Sequence, residues 1–332
     1  MLQFHRLISG GIITNYHCSS KCRHCLYGCS PAWPREYMGG ETAAAIFSVL
    51  RKAGCHSVHI GGGEPLLQPE KLFRVLEAAR EARIRVEYVE TNASWYGEEK
   101  RTQAILKELL RCGVDTLLIS IDPFHNEYIP FCKTWGLMEA CEQAGMDVFP
   151  WRMEFWDDLA VLDPVRVHPL EEAAKGRGDG YVSRVLQRYG MNFRGRALRS
   201  FSGHLPAHPT GEILAGSLPC MELEGIHHFH VDLYGNFVPE RCAGLSMHFM
   251  DLGAGADPKA EVDPAKYPLL DALHTDGIRG LHDLAVRKYD FRSKEIYAGK
   301  CDLCYDIRRY LVMCLDLDLP DLQPAGHYRY ME

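Results

Sequence analysis

Cys18, Cys22 and Cys25 stand in the run Cys18-Ser-Ser-Lys-Cys22-Arg-His-Cys25, a C-x3-C-x2-C spacing close to the N-terminus. Three thiolates on one short loop can hold three irons of a [4Fe–4S] cluster and leave the fourth iron without a protein ligand. An iron left open in this way can bind a small molecule, so the spacing points to chemistry rather than to a structural staple. Zinc is the competing reading. Structural zinc sites pair C-x2-C knuckles with a second pair downstream, which fits this loop poorly unless Cys29 serves as a fourth ligand.

A second set of cysteines lies far downstream: Cys220, Cys242, and the C-x2-C pair Cys301 and Cys304. They surround a turn at Tyr234-Gly235-Asn236 and describe either an iron–sulfur site or a zinc ribbon. The chain has thirteen cysteines, an odd count that cannot pair completely, and disulfides are rare in the cytoplasm. Ligation accounts for the clustering at both ends. Cys55, Cys112, Cys132 and Cys141 fall in helix or helix-end contexts and read as small buried apolar residues. No C-x2-C-H occurs, which excludes c-type haem attachment.

These residues need a scaffold, and the first two thirds of the chain alternates strand-like and helix-like segments. Strands are expected at Leu7 to Thr14, Ser57 to Ile60, Ile84 to Val89, Val114 to Ile121 and Met146 to Phe149. Between them Glu41 to Ala53, Glu70 to Ala82, Glu98 to Arg111 and Trp135 to Ala144 carry apolar residues at helical spacing. Repeated βα units imply a parallel sheet, either a closed or partly closed barrel or an open doubly wound sheet. In both, function collects at the C-terminal ends of the strands. The sequence places the cysteine loop, Gly61 to Glu64, Thr91 with Asn92, and Ser120 to His125 at those ends. The plain alternative for Asn92 and Asp122 is an ordinary strand-end cap. From Leu162 to Gly180 the pattern turns irregular, and beyond Leu205 the helix–strand rhythm is lost. His227 to Val238 reads as a β-hairpin and Asp251 to Tyr267 as a surface loop. The expected domains are residues 1–204 and a smaller unit, 205–332.

With these motifs in place the chain resembles the radical SAM superfamily, whose signature is a CxxxCxxC loop after the first strand of a partial (β/α)6 TIM-type barrel. The likeness covers residues 5 to 200. It implies an α/β fold and a [4Fe–4S] cluster on Cys18, Cys22 and Cys25, with S-adenosylmethionine chelated to the free iron. Electron transfer then cleaves the C–S bond to a 5′-deoxyadenosyl radical that abstracts a substrate hydrogen. His24 sits where the family often places an aromatic near the adenine, and Gly62-Gly63-Glu64-Pro65 matches its GGE motif, with Glu64 pairing the methionine ammonium. Asn92 resembles the family's TN element, and Ser120 and Asp122 its ribose-binding position. His125 and Arg152 are further strand-end candidates, while Arg196, in a GRA element, either orients a carboxylate or phosphate or is a surface arginine. No side chain is assigned as a catalytic acid or base.

The late cysteines resemble the twitch domain, a shortened SPASM domain, which implies a second, auxiliary [4Fe–4S] cluster on Cys220, Cys242, Cys301 and Cys304 in an α+β unit. Six residues separate Gly235 from Cys242, more than that domain usually has. Only Cys314 is left over, too few for a full SPASM domain. The expected reaction starts with hydrogen abstraction and ends in oxidation or cyclisation, fed by an electron donor such as a flavodoxin or ferredoxin. Few residues precede the first strand, which favours a small-molecule substrate, or a peptide delivered by a separate protein. No cobalamin-binding domain is apparent, so methyl transfer is less expected. The rival class is a non-catalytic iron–sulfur or zinc protein, an electron carrier or assembly factor.

Composition narrows the partners. In 332 residues, 46% hydrophobic and 24% charged, there is ample material for a soluble core. A net charge of -7 argues against nucleic acid as a general partner. The N-terminus lacks signal-peptide features, and no apolar run approaches the roughly 18 residues that span a bilayer, so a cytoplasmic location without membrane partners is expected.

Overall fold

The computed structural model describes residues 3–4, 7–224, 228–252 and 260–331. Its centre is a largely parallel eight-stranded sheet. Five strands come from successive β/α units: β1 (Ser9–Ile13), β2 (Ser57–Gly61), β3 (Arg85–Thr91), β4 (Thr116–Ser120) and β5 (Asp147–Trp151). The helices between them are α1 (Gly40–Lys52), α2 (Pro69–Glu81), α3 (Glu99–Arg111) and α4 (Phe131–Ala144), each within a few residues of the expected bounds. The apolar stripe of α1, Ile46, Phe47 and Leu50, is fully buried, each side chain contributing about 1.5–3 kcal/mol. After α4, Gly145 takes the left-handed conformation (φ 70°) that a side chain would strain.

The sixth parallel strand does not follow β5. Residues 153–200 form only short helices, of which α5 (Tyr181–Tyr189) is the longest. The sixth strand is β6 (His228–Asp232), which pairs in parallel with the opposite edge of the sheet, Gly11 facing His230. It runs into β7 (Asn236–Pro239) and then β8 (Met247–His248), both antiparallel, giving the order β8-β7-β6-β1-β2-β3-β4-β5. The expected hairpin is therefore present, although its expected first residue, 227, lies outside the described residues. Asp232 shapes the turn by accepting the Tyr234 and Asn236 amides, both at 2.9 Å. Trp151 on β5 and His230 on β6 line one cavity, so the sheet curls around it as in a partial TIM-type barrel.

Beyond residue 205 the chain is more helical than its patterning suggests. Two helices, α6 (Pro268–Tyr289) and α7 (Lys300–Met313), pack against each other. Helix α6 breaks its apolar phase at Gly277 (φ 64°, ψ -145°), where an added Cβ would meet the Leu218 carbonyl oxygen at 1.9 Å. Of the expected 251–267 loop, residues 253–259 lie outside the described residues, and Phe249–Leu252 is a 3-10 turn.

Candidate active site

The three N-terminal cysteines follow β1 in a loop held from two sides. Gly63 donates its amide to Asn15 O (2.7 Å) and Glu64 to His17 O (3.2 Å), tying the end of β2 to the entry of the loop. The approach is so close that a Cβ on Gly63 would lie 2.2 Å from the His17 oxygen. Gly62 (φ 151°) likewise leaves no space beside Asn15. The glycine pair is thus required by backbone packing under the cysteine loop. From the other side comes Arg196, buried at 5% exposure. Its guanidinium donates to Cys22 O (2.8 Å), Cys29 O (3.0 Å) and Met331 O (3.1 Å), while its own amide donates to Cys25 O (3.0 Å). Arg196 is neither a surface residue nor a ligand-facing one; it is a buried clamp on loop carbonyls.

Cys18, Cys22 and Cys25 all line one cavity of ≈ 480 Å³ at the C-terminal ends of the strands. Cys18 Sγ accepts from Ser20 N and Asn92 Nδ2, both at 3.4 Å, the kind of donors a ligating thiolate takes. Burial, followed by the neighbouring Cys22 and Glu64, pushes the Cys18 thiol well above its ordinary value. Three thiols converging on one cavity, one of them costly to ionise without a cation beside it, fit a metal cluster. Cys29 lines the same cavity and hydrogen-bonds to Cys25; that bond, with Arg196 nearby, holds the Cys25 thiol down, while the same bond and burial push the Cys29 thiol up.

The strand-end residues divide into those that face the cavity and those that stand behind it. Gly62, Gly63, His24, Asn92 and Ser120 face it. Glu64 and Asp122, both expected to meet S-adenosylmethionine directly, have their carboxylates engaged internally, at 0% and 1% exposure. Glu64 accepts from Leu66 N (3.1 Å), Thr91 Oγ1 (3.0 Å) and Asn92 N (2.7 Å), joining the ends of β2 and β3. Burial raises its carboxyl to about 7 despite these donors. Asp122 caps the short helix Pro123–Asn126 through Phe124 N and His125 N, both at 3.0 Å, and pairs with His125 Nδ1 at 2.8 Å. Burial opposes that ion pair, yet Asp122 still falls to about 2 and His125 rises well above its ordinary value.

His24 lies in an aromatic box, its ring centroid 5.1 Å from Phe124, 5.0 Å from His125 and 5.1 Å from Tyr189. Burial lowers it to about 4, so the ring is neutral and apolar enough to pack against a base. Arg152, in the left-handed region at φ 69°, stacks over Trp151 and Tyr189 at 4.6 Å each and lines the cavity. Sequence reasoning missed Tyr88, Trp151 and Tyr189, whose aromatic types had no spacing to mark them. It also missed His59, His228 and His230, which the alternation of β2 and β6 places on one inward face.

The four late cysteines converge as well. Cys220, Cys242, Cys301 and Cys304 line a second, smaller cavity of ≈ 50 Å³. The long interval after Gly235 is taken up by a turn in which Cys242 donates its amide to Pro239 O (3.0 Å) and Leu245 donates to Cys242 O (2.9 Å). Arg194, Arg241, Lys300 and Arg308 surround the thiols. Burial pushes Cys242 up to about 12, the nearby arginines only partly offsetting it. Four half-buried thiols beside four cationic side chains and one carboxylate, Glu222, suit a group that makes them thiolates and carries net negative charge. Cys314 is exposed at the end of α7 and outside this cavity.

Residues 12–172 match the family model described as the Radical SAM superfamily. Among solved structures, anSMEcpe with bound AdoMet shares 15% identity over 93% of this chain and 98% of its own, with a TM-score of 0.47. SuiB of Streptococcus suis, bound to S-adenosylmethionine, shares 15% over 87% of this chain and 69% of its own, with a TM-score of 0.36. HydG, a maturase of the [FeFe]-hydrogenase, shares 17% over 43% of this chain, with a TM-score of 0.34. The chain spans 34% of the length of HydG and 44% of that of methylornithine synthase. No curated protein is a match for the chain. No helix among the described residues is long and apolar enough to cross a membrane. The cysteine loop, the parallel strands and the matched family model agree that residues 12–172 form a radical SAM domain.

Proposed function

We propose that the protein is a radical SAM enzyme that acts on a small molecule or peptide held in the barrel cavity, by hydrogen abstraction leading to oxidation or cyclisation. The observation that carries this reading is the convergence of Cys18, Cys22 and Cys25 with Asn92, Ser120 and His24 on a single cavity. A [4Fe–4S] cluster with S-adenosylmethionine on its open iron would supply a 5′-deoxyadenosyl radical on reduction. The chain's own residues do the positioning. Arg196 and the Gly62–Gly63 turn fix the loop, Asn92 and Ser20 orient the Cys18 sulfur, and His24 with Tyr189 offers a face for the adenine. Glu64 and Asp122 act one step back, holding Asn92 and His125 in place.

The late cysteines hold an auxiliary [4Fe–4S] cluster in this reading. Arg241 lines both cavities, which supports a role close to the substrate, as electron acceptor or binding site. Residues 1–204 would form the catalytic barrel and 205–332 the auxiliary-cluster domain, with β6 shared between them. A flavodoxin or ferredoxin in the cytoplasm would deliver the electron. Anaerobic reconstitution, with iron counted per chain and 5′-deoxyadenosine measured after reduction with S-adenosylmethionine, tests the reading. About eight irons with cleavage are expected. Cleavage with about four irons and one zinc would remove the auxiliary cluster only. No cleavage, with Cys22→Ala indistinguishable from wild type, would overturn the enzyme.

A further inference from the structure

On the inner face of the barrel, below the cysteine loop, three histidines from two strands meet. His59 on β2 and His230 on β6 lie in one row with Gly11 of β1 between them, and His228 lies one pleat below. One nitrogen from each ring lies within 4.8 Å of the other two. His59 Nε2 and His230 Nε2 are 3.2 Å apart, close to the roughly 3.4 Å that separates two nitrogens on one tetrahedral ion at Zn–N distances of about 2.0–2.1 Å. The sheet is built around these rings. A Cβ on Gly11 would stand 2.4 Å from His59 Nε2 and 2.4 Å from the His230 ring. Beside them Glu90 Oε1 lies 3.7 Å from His59 Nε2, and a Cβ on Gly61 would crowd its carboxylate at 2.8 Å. Two glycines therefore clear the space that three imidazoles and a carboxylate occupy.

We propose that His59, His228 and His230 form a mononuclear site for a divalent transition ion such as zinc, with Glu90 or a substrate oxygen in the fourth position. Imidazole and carboxylate suit zinc and the neighbouring first-row ions, and a three-histidine set with one open position is the arrangement of ions that bind an exchangeable ligand. Closing the set onto one ion asks for side-chain movements of about 1 Å. The open position faces the cavity lined by the cysteine loop, so the ion would hold a Lewis-basic group of the substrate: a carboxylate, hydroxyl or amide carbonyl. The site rests on the barrel face alone and stands whether or not S-adenosylmethionine is cleaved.

The test uses the full chain, reconstituted anaerobically with iron and sulfide and dialysed against micromolar zinc. About one zinc per chain is expected, with K-edge absorption showing imidazole nitrogen at about 2.0–2.1 Å and no sulfur near 2.3 Å. His59→Ala and His228→Ala should each lose that zinc at unchanged iron content, whereas Cys301→Ser should keep it. His228 is half-buried, so its variant serves if His59→Ala fails to fold. Zinc bound through sulfur, zinc unaffected by the histidine variants, or no zinc in the wild type would each overturn the proposal.

Discussion

Arg196 offers the sharpest test of how the cysteine loop is held. Replacing it with methionine keeps the apolar stem and removes a guanidinium that donates to Cys22 O, Cys29 O and Met331 O at 2.8–3.1 Å. Cys22 O keeps the Cys25 amide as a donor (3.1 Å), but Cys29 O and Met331 O are left buried without one at about 1–3 kcal/mol each, and charge-assisted donors lie toward the upper end. The three losses are not additive because the loop relaxes as a unit, so a total of about 3–5 kcal/mol is expected. For a chain of this size that corresponds to a fall in Tm of about 4–7 °C for the cluster-free protein. The same change should loosen the loop enough to lower reconstituted iron by about four per chain, with the late-cysteine site still filled. Arg196→Lys, which restores charge but cannot reach three carbonyls at once, should fall between. The measurements are iron content, cluster absorbance and thermal unfolding on the same samples. Wild-type iron with a Tm within about 1 °C of wild type in Arg196→Met would refute the clamp.

Three further outcomes follow from single contacts. Gly63→Ala, which drives a Cβ to 2.2 Å from the His17 oxygen, should destabilise by at least about 3 kcal/mol in urea unfolding, while Gly203→Ala, with open space around it, should be near neutral. Cys304→Ser should lose about four irons per chain and Cys314→Ser none, because only the former lines the late-cysteine cavity. Asp321 is buried, its carboxyl pushed up to about 7 from an ordinary 3.8. Its protonated form favours the fold, so that contribution is complete below about 4 and is lost as pH rises through about 7. The stability of Asp321→Asn relative to wild type should therefore climb over that interval by up to roughly 4 kcal/mol and then level. Paired urea midpoints against pH measure it, and a pH-independent difference would rule it out.

What could be read ahead of the coordinates was whatever depends on neighbours in sequence. The strands and helices of the β/α units follow from apolar periodicity, and the cysteine loop from spacing within eight residues, Cys18 to Cys25. Side-chain direction was not legible in the same way. Glu64 and Asp122 have the right type at the right strand ends, but their orientation depends on Thr91, Asn92 and His125, which come from other turns of the chain or fold back on it. Arg196 is the extreme case: its partners are 135 to 174 residues away in sequence, so no local pattern separates a clamp from a surface charge. The histidine trio falls between these limits. His228 and His230 alternate on one strand and His59 is central in another, so each inward face was readable, but not the pairing of β6 with β1 that sets them across Gly11. That pairing also answers why the second part of the chain escaped the β/α rhythm. Its strand β6 completes the barrel's own sheet, and beyond the β7 that follows stands Arg241, which lines both cavities next to Cys242. The two cysteine sites are for this reason one structural problem: a change that unpairs β6 from β1 should disturb both, and a change at either cysteine set should leave the sheet intact.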